Sequence, residues 1–351
     1  MKKIVFVSQS LRKGGAERVV SLLSQEFEKR GYEVKIVLFE DSIEYKYGGK
    51  VIFLHTTASQ SYLVKLFRLF QRVAKLKKIF IKEKPDYIFS FMESCNFASI
   101  LTGEKVVVSI RNNPEKKHIW YQKFLIRYLY RLRNVKKVIT VSKDIEKILR
   151  DKYKLDNVKT IYNPVVIQES SISENLERYK PFILAVGRLH PQKNFEMLIN
   201  AYSRTKTKEF AKLIILGEGK EKEKLLAYIK NLGLDDKVIL LGNKDNVYDY
   251  YKQCEIFVLS SKYEGFPNVL IEALANGCAC ISTDCPTGPS EIIKHGENGL
   301  LVENENEEEM VKAIDNLFFN EILKRKFRKN AKKSVSHLEL SKIANEWLKI
   351  L

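Results

Sequence analysis

Along the whole chain, short runs of uninterrupted apolar residues alternate with longer stretches whose apolar residues recur at helical spacing. Residues 3–8 form the first run. In 16–30, Val19, Val20, Leu22, Leu23 and Phe27 follow a 3.6-residue period, and Gly31 suits the left-handed residue that ends a helix. Residues 33–39, 86–91, 105–110 and 137–141 read as further strands. The pattern restarts with a strand at 182–186, a helix from about Phe195, a strand at 212–216 and a helix over 221–232. Strands at 238–241, 256–259 and 279–282 follow. Strands apolar at every position, alternating with helices, belong to parallel sheets covered on both faces.

The fold class is therefore α/β, with two Rossmann-like parallel-sheet domains. Asn163-Pro164 and the polar stretch 168–177, with Ser170, Ser171 and Ser173, have the composition of a linker. This places a first domain at 1–172 and a second at 173–334. The closing segment 335–351 carries Leu338, Leu340, Ile343, Trp347, Leu348 and Ile350 at near-helical spacing. Open α/β sheets bind ligands at their carboxyl edges, so two in tandem lead us to expect a central cleft.

The length of 351 residues suits two domains of roughly 150–200 each. No apolar run reaches the roughly 18 residues of a membrane span. The apolar start after Lys2 and Lys3 is cut short by Ser8, Gln9 and Ser10, so it reads as a strand rather than a signal peptide, and a cytoplasmic location is expected. Cys95, Cys254, Cys278, Cys280 and Cys285 are too few and too irregular for a disulfide framework or a zinc site; buried thiols are expected, and no metal. Charge is uneven. Residues 1–170 hold 34 Lys and Arg against 17 Asp and Glu, whereas 171–351 hold 27 against 26. The basic half fits phosphates, either of nucleic acid or of an anionic membrane surface, or simply a Lys-rich solvated face.

Three motifs sit where strands meet helices. Leu11-Arg12-Lys13-Gly14-Gly15-Ala16-Glu17 offers close backbone approach and a helix N-terminus, but lacks the G-x-G-x-x-G fingerprint of dinucleotide enzymes. Gly187-Arg188-Leu189-His190-Pro191-Gln192-Lys193-Asn194 puts two cations at the end of a strand, with Asn194 suited to cap the next helix. Glu264-Gly265-Phe266-Pro267-Asn268-Val269-Leu270-Ile271-Glu272 runs into Ala273-Leu274-Ala275-Asn276-Gly277. Pro267 suits the first position of a helix there and Gly277 its end. Glu264 then lies in the loop and Glu272 in the second turn, beside an N-terminus able to hold phosphate oxygens.

These motifs resemble those of glycosyltransferase family 4, whose members are retaining enzymes of the two-domain GT-B fold. Glu264 and Glu272 match its E-x7-E signature, and Phe182–Val186 with Gly187, Arg188 and Lys193 resembles its diphosphate-binding element. Gly14-Gly15-Ala16-Glu17, Val141-Ser142-Lys143, Ile161-Tyr162-Asn163-Pro164 and Gly299-Leu300-Leu301-Val302 extend the likeness over nearly the whole chain. The resemblance implies that Arg188 and Lys193 neutralise the donor diphosphate and that Gly15 places a backbone N–H near its distal phosphate. It also implies that Glu264 contacts the donor sugar, that Glu272 contacts the ribose, and that Gly288, Pro289 and Glu291 line the cleft. Gly14, Gly187, Gly265, Phe266, Pro267, Asn268, Val269 and Leu270 complete the expected donor-binding set.

Cys285-Pro286-Thr287-Gly288-Pro289-Ser290-Glu291 looks most like members that extend lipid-linked oligosaccharides for bacterial surface polysaccharides such as capsule or lipopolysaccharide. The implied donor is a nucleotide-diphosphate sugar, UDP-linked, and no cofactor beyond it. Many members carry a histidine after an N-domain strand, where this chain has Arg111; His118 lies too far downstream. An arginine does not shuttle protons. It is suited instead to stabilising the leaving phosphate or holding an acceptor diphosphate. Without a D-x-D metal motif, the diphosphate charge falls to Arg188, Lys193 and helix dipoles. The implied chemistry is a front-face substitution with retention.

Residues 61–84 set Leu63, Leu66, Phe67, Phe70, Val73 and Phe80 near one helical face, among Lys65, Arg68, Arg72, Lys75, Lys77 and Lys78. Residues 120–137 place Trp120, Tyr121, Phe124, Tyr128 and Tyr130 among Lys123, Arg127, Arg131 and Arg133. Such helices either pack their apolar faces on the sheet or lie on a membrane, and both hold if the basic faces point outward. The expected partners are a nucleotide-sugar donor, a lipid-linked saccharide acceptor and the anionic inner-membrane surface, with no nucleic acid. A soluble acceptor, or donor binding without turnover, is the alternative.

Overall fold

The computed structural model describes residues 1–56, 62–117, 119–167 and 172–350, the side chains of Tyr62, Leu63, Lys65 and Lys117 excepted. Ser61, His118, residues 168–171 of the expected linker and Leu351 lie outside the described residues. The first half runs β1 (Lys3–Ser8), α1 (Gly15–Lys29), β2 (Glu33–Leu38), β3 (Lys50–Phe53), α2 (Tyr62–Glu83), β4 (Tyr87–Phe91) and α3 (Glu93–Leu101). It continues through β5 (Val106–Ile110), α4 (Pro114–Lys117), α5 (Trp120–Leu129), β6 (Val135–Thr140), α6 (Lys143–Asp151) and β7 (Val158–Thr160). The second half runs β8 (Phe182–Val186), α7 (Phe195–Ser203), β9 (Lys212–Leu216), α8 (Lys222–Asn231), β10 (Val238–Gly242), α9 (Val247–Gln253) and β11 (Ile256–Leu259). Then come α10 (Asn268–Ala275), β12 (Cys280–Asp284), α11 (Pro289–Ile292), β13 (Gly299–Glu303), α12 (Glu307–Phe319), α13 (Glu321–Ser334) and α14 (Leu340–Leu348).

The chain divides into two compact units, Met1–Pro164 with Leu340–Leu351, and Val165–Glu339. The division precedes the polar stretch read as a linker. Val165 already donates its N–H to Leu338 O and pairs with Glu339, which ties it to the second unit.

In the first unit the described strands form a seven-stranded sheet in the order β3-β2-β1-β4-β5-β6-β7, and in the second a six-stranded sheet in the order β10-β9-β8-β11-β12-β13. Neighbouring strands pair in parallel in both sheets, for example Ile4 with Val34 and Tyr87, and Phe182 with Lys212. Central strands are buried along most of their length, as their continuous apolar runs require; β5 is buried at all positions. The edge strands β3 and β7 are short and partly exposed; β7 has no apolar run, whereas β3 carries Val51, Ile52 and Phe53 in succession.

Alternation along β4 sorts the layers of the first unit. Phe89 and Phe91 lie on one face with Phe6, and Phe27 of α1 stacks there. Ser90 lies on the other face, where Ser99 of α3 donates a hydrogen bond to it at 3.2 Å. The chain's last helix, α14, joins the first face. Trp347 is fully buried, with its ring 5.1 Å from Phe89 and 5.4 Å from Phe91. Arg30 of α1 fastens it by donating to Asn345 Oδ1 and Ser341 O.

Helix 120–137 of the sequence reading is shorter than expected. It stops at Leu129, and the hydrophobic, β-branched Val135 already begins β6. Helix α2 also departs from the expected single apolar face. Leu76 and Phe80 (3% exposed) pack inward, whereas Leu66, Phe67 (69% exposed) and Phe70 stand out in solvent.

Trp347 holds α14 by packing alone, since its Nε1 finds no hydrogen-bond acceptor among the described residues. Trp347→Ala is expected to cost ~3–5 kcal/mol of stability, and Trp347→Phe clearly less because no hydrogen bond is lost. Urea unfolding followed by circular dichroism checks both.

Candidate active site

In the second unit, order along the sheet reverses between β8 and β11, so the loops leaving these neighbouring strands part at the carboxyl edge. This is where open α/β sheets bind ligands. The loop after β8 turns at Gly187, which lies under the stem of Lys193. A Cβ there would sit 3.2–3.3 Å from the Lys193 side chain. Lys193 thereby reaches across to the loop after β11, and its Nζ donates to Glu264 Oε1 at 2.5 Å. Ser261 Oγ donates to the same oxygen at 2.6 Å.

Backbone contacts lace the same two loops. Gln192 Nε2 donates to Tyr263 O at 2.9 Å, Lys262 N to Gln192 O at 2.8 Å, and Ser260 Oγ to Lys193 O at 2.8 Å. A third loop, after β12, closes on them. Thr287 Oγ1 donates to Glu264 O, and Glu264 N donates to Pro286 O at 3.3 Å. Gly288 has φ +95°, and a Cβ there would fall 2.8 Å from Gly265 O, so only glycine fits.

Arg188 is exposed beside this pair, and no carboxylate among the described residues binds it. Gly265, Phe266 and Leu270 are buried, and Leu270 N donates to Pro267 O at 3.1 Å in the first turn of α10. Pro267 occupies the cap of α10 rather than its first turn, because its backbone is extended; Asn268 begins the helix. Asn268, Val269 and Glu272 are half-buried along α10, and Gly277 follows its end with φ +81°. Asn194 stands at the cap of α7 in a left-handed conformation, and its side chain makes no capping bond there. Glu291 is half-buried in α11, which starts at Pro289. Sequence reasoning missed Ser261, Gln192 and Thr287, which fix Glu264 and its loop. The one available signal was a serine three residues ahead of the glutamate.

In the first unit, Gly14 caps α1 and Gly15 is its exposed first residue. The Glu17 carboxylate folds back against Gly14, where a side chain would collide with it. Arg111 leaves the carboxyl end of β5 and is 7% exposed. Its Nη1 donates to Ser109 Oγ at 3.2 Å and its Nη2 to Asn163 Oδ1 at 2.5 Å, with the guanidinium 5.4 Å over the Phe91 ring. Burial pulls its pKa down to about 9, which leaves it charged at neutral pH. Asn163 is the partner that the sequence did not reveal.

All five cysteines are buried, and burial pushes the thiols of Cys95, Cys278, Cys280 and Cys285 up, so they stay protonated. Among the described residues no cluster of three or more His, Cys, Asp or Glu is arranged to hold a metal.

Two family models cover nearly the whole chain: Glycosyltransferase Family 4 over residues 13–169 and Glycosyl transferases group 1 over 166–334. A Campylobacter jejuni N-acetylgalactosamine-N,N'-diacetylbacillosaminyl-diphospho-undecaprenol 4-alpha-N-acetylgalactosaminyltransferase is 34% identical over the full length of both chains. The chain belongs to glycosyltransferase family 4. The amylovoran biosynthesis glycosyltransferase AmsD of Erwinia amylovora is 27% identical, over 100% of this chain and 99% of its own. The Anabaena Alr3699/HepE structure in complex with UDP-glucose superposes with a TM-score of 0.84 at 20% identity, covering 100% of both chains. That likeness carries the GT-B fold, which the two parallel sheets share.

The Lys193–Glu264 pair is the point on which the loops after β8 and β11 are organised. Lys193→Ala and Glu264→Ala are each expected to destabilise the chain by ~3 kcal/mol, because each leaves a largely buried charge without its partner. A double-mutant cycle in urea should return a coupling of about 2 kcal/mol; additive effects would mean that the pair does not act as one.

Proposed function

We propose that this glycosyltransferase moves an N-acetylhexosamine or hexose from a UDP-linked donor to an undecaprenyl-diphosphate-linked saccharide, with retention at the anomeric carbon and without a metal ion. The observation that carries the reading is the full-length similarity to a transferase whose own acceptor is a diphospho-undecaprenol saccharide, joined to the Lys193–Glu264 ion pair and the exposed Arg188 at the β8 edge.

The site's electrostatics suit the donor. Glu264 neutralises Lys193 and keeps it in place, so Arg188 supplies the net positive charge for the diphosphate. Glu264, fixed by Lys193 and Ser261, is an acceptor for a donor-sugar hydroxyl, and Glu272 one turn into α10 is an acceptor for the ribose. In the reaction the anomeric carbon–oxygen bond to the β-phosphate breaks, and the acceptor hydroxyl oxygen bonds to the same face. Its proton passes to the departing phosphate oxygen, and UDP leaves. Preorganised cations at the leaving group supply the main stabilisation of that charge.

The first unit docks on the anionic inner membrane surface, where such an acceptor resides. Phe67 and Phe70 of α2, with Trp120 (81% exposed), Phe124 and Tyr128 of α5, are exposed among Arg127, Lys77, Lys78 and Arg131. The helix α3 packs against both α2 and α5. Aromatics with basic neighbours are the residues of a membrane interface. Among the described residues no helix is long and apolar enough to cross a membrane.

Labelled UDP-sugars offered to undecaprenyl-diphosphate saccharides should give transfer from one donor, unaffected by EDTA and lost by at least about a hundredfold in Arg188→Ala. Transfer only to soluble sugars, or none with any donor, contradicts the proposal. Sedimentation with phosphatidylglycerol vesicles should fall several-fold in a Phe67→Ser, Phe70→Ser, Trp120→Ser variant; unchanged binding contradicts membrane docking.

A further inference from the structure

Only two cations rank as buried among the described residues, and they are treated differently. Lys324, 3% exposed, pairs with Glu255 at 2.9 Å and Glu321 at 2.6 Å. Among the described residues no carboxylate lies within ion-pair distance of Arg111. Its partners are the neutral oxygens of Ser109 and Asn163 and the face of Phe91, and the charge that acts on it, Glu17, lies beyond contact. A guanidinium carries five N–H donors, of which those two hydrogen bonds use two. Taking a charge out of water without a counter-ion costs several kcal/mol, so a fold that served stability alone would have placed an apolar residue or a carboxylate here.

Position gives the site its direction. Arg111 stands at the carboxyl end of β5, and Asn163 follows β7, so both lie at the ligand-binding edge of the first sheet. Ser109 and Asn163 hold the guanidinium from two nitrogens and Phe91 supports one face, which fixes its plane before any ligand arrives. A fixed, planar, charged fork is the group that binds phosphate oxygens with two parallel hydrogen bonds.

We propose that Arg111, preset by Ser109 and Asn163, is a binding residue for a diphosphate group, whose anionic oxygens supply in direct contact the counter-charge that no described carboxylate supplies there. The identity of that diphosphate rests on the transferase reading: it belongs to the lipid-linked acceptor or to the donor. The site itself does not depend on that reading.

Isothermal titration of the full chain with geranyl diphosphate and with UDP, native and Arg111→Gln, decides the matter without requiring turnover. Thermal unfolding of the free variant is measured alongside. The expected result is binding weakened by about tenfold or more for one probe, with an unfolding temperature that does not fall. Loss for geranyl diphosphate identifies the acceptor's group, and loss for UDP the donor's. Arg111→Lys, which keeps the charge without the fork, should recover only part of the affinity. Unchanged binding of both probes, no binding of either by the native chain, or a lowered unfolding temperature with affinity intact overturns the proposal and leaves Arg111 a structural residue.

Discussion

A lysine from the loop after β8 and a glutamate from the loop after β11 share a hydrogen bond in a largely dry place, and the ligand edge of the second unit is arranged around it. Neither charge is tolerated there alone, because an unpaired buried ion costs several kcal/mol. The pair therefore fixes where the two loops lie relative to each other. Gly187 is a glycine so that the lysine stem can cross it, and Gly288 is a glycine so that the third loop can approach Gly265. Ser261, Gln192, Ser260 and Thr287 then satisfy the polar atoms that the turn of the chain leaves exposed to the interior.

The two units solve the handling of charge in opposite ways. In the second, Glu264 answers Lys193 inside the fold, and the exposed Arg188 is left for an incoming anion. In the first, Arg111 is buried and set by the neutral oxygens of Ser109 and Asn163, with no carboxylate among the described residues in contact with it. A family 4 transferase working on a lipid-linked saccharide has two diphosphates to manage, one on the donor and one on the acceptor. The contrast gives each unit a cation suited to that chemistry.

Much of this was legible in the sequence. Central strands buried on both faces must be apolar at every position, and 3–8, 182–186, 212–216 and 256–259 read directly as β1, β8, β9 and β11. The motif residues fell at strand ends because parallel sheets put ligand contacts there. What escaped notice was set by tertiary contact. The edge strand β7 is too short to carry a pattern, and the run Val51-Ile52-Phe53 of β3 becomes a strand only by pairing with β2. In α2, periodicity grouped Phe67 and Phe70 with Phe80, but among its described side chains only Leu76 and Phe80 are buried. The bonds from Ser261 to Glu264 and from Arg111 to Asn163 depend on side-chain reach across loops, which spacing along the chain does not encode.

The central claim, that the loops after β8 and β11 and the start of α10 hold the donor diphosphate, is tested most directly by hydrogen exchange of the full chain with and without UDP. Exchange is expected to slow in 187–194 and 264–272. Protection confined to other segments, with these unchanged at saturating UDP, would contradict it.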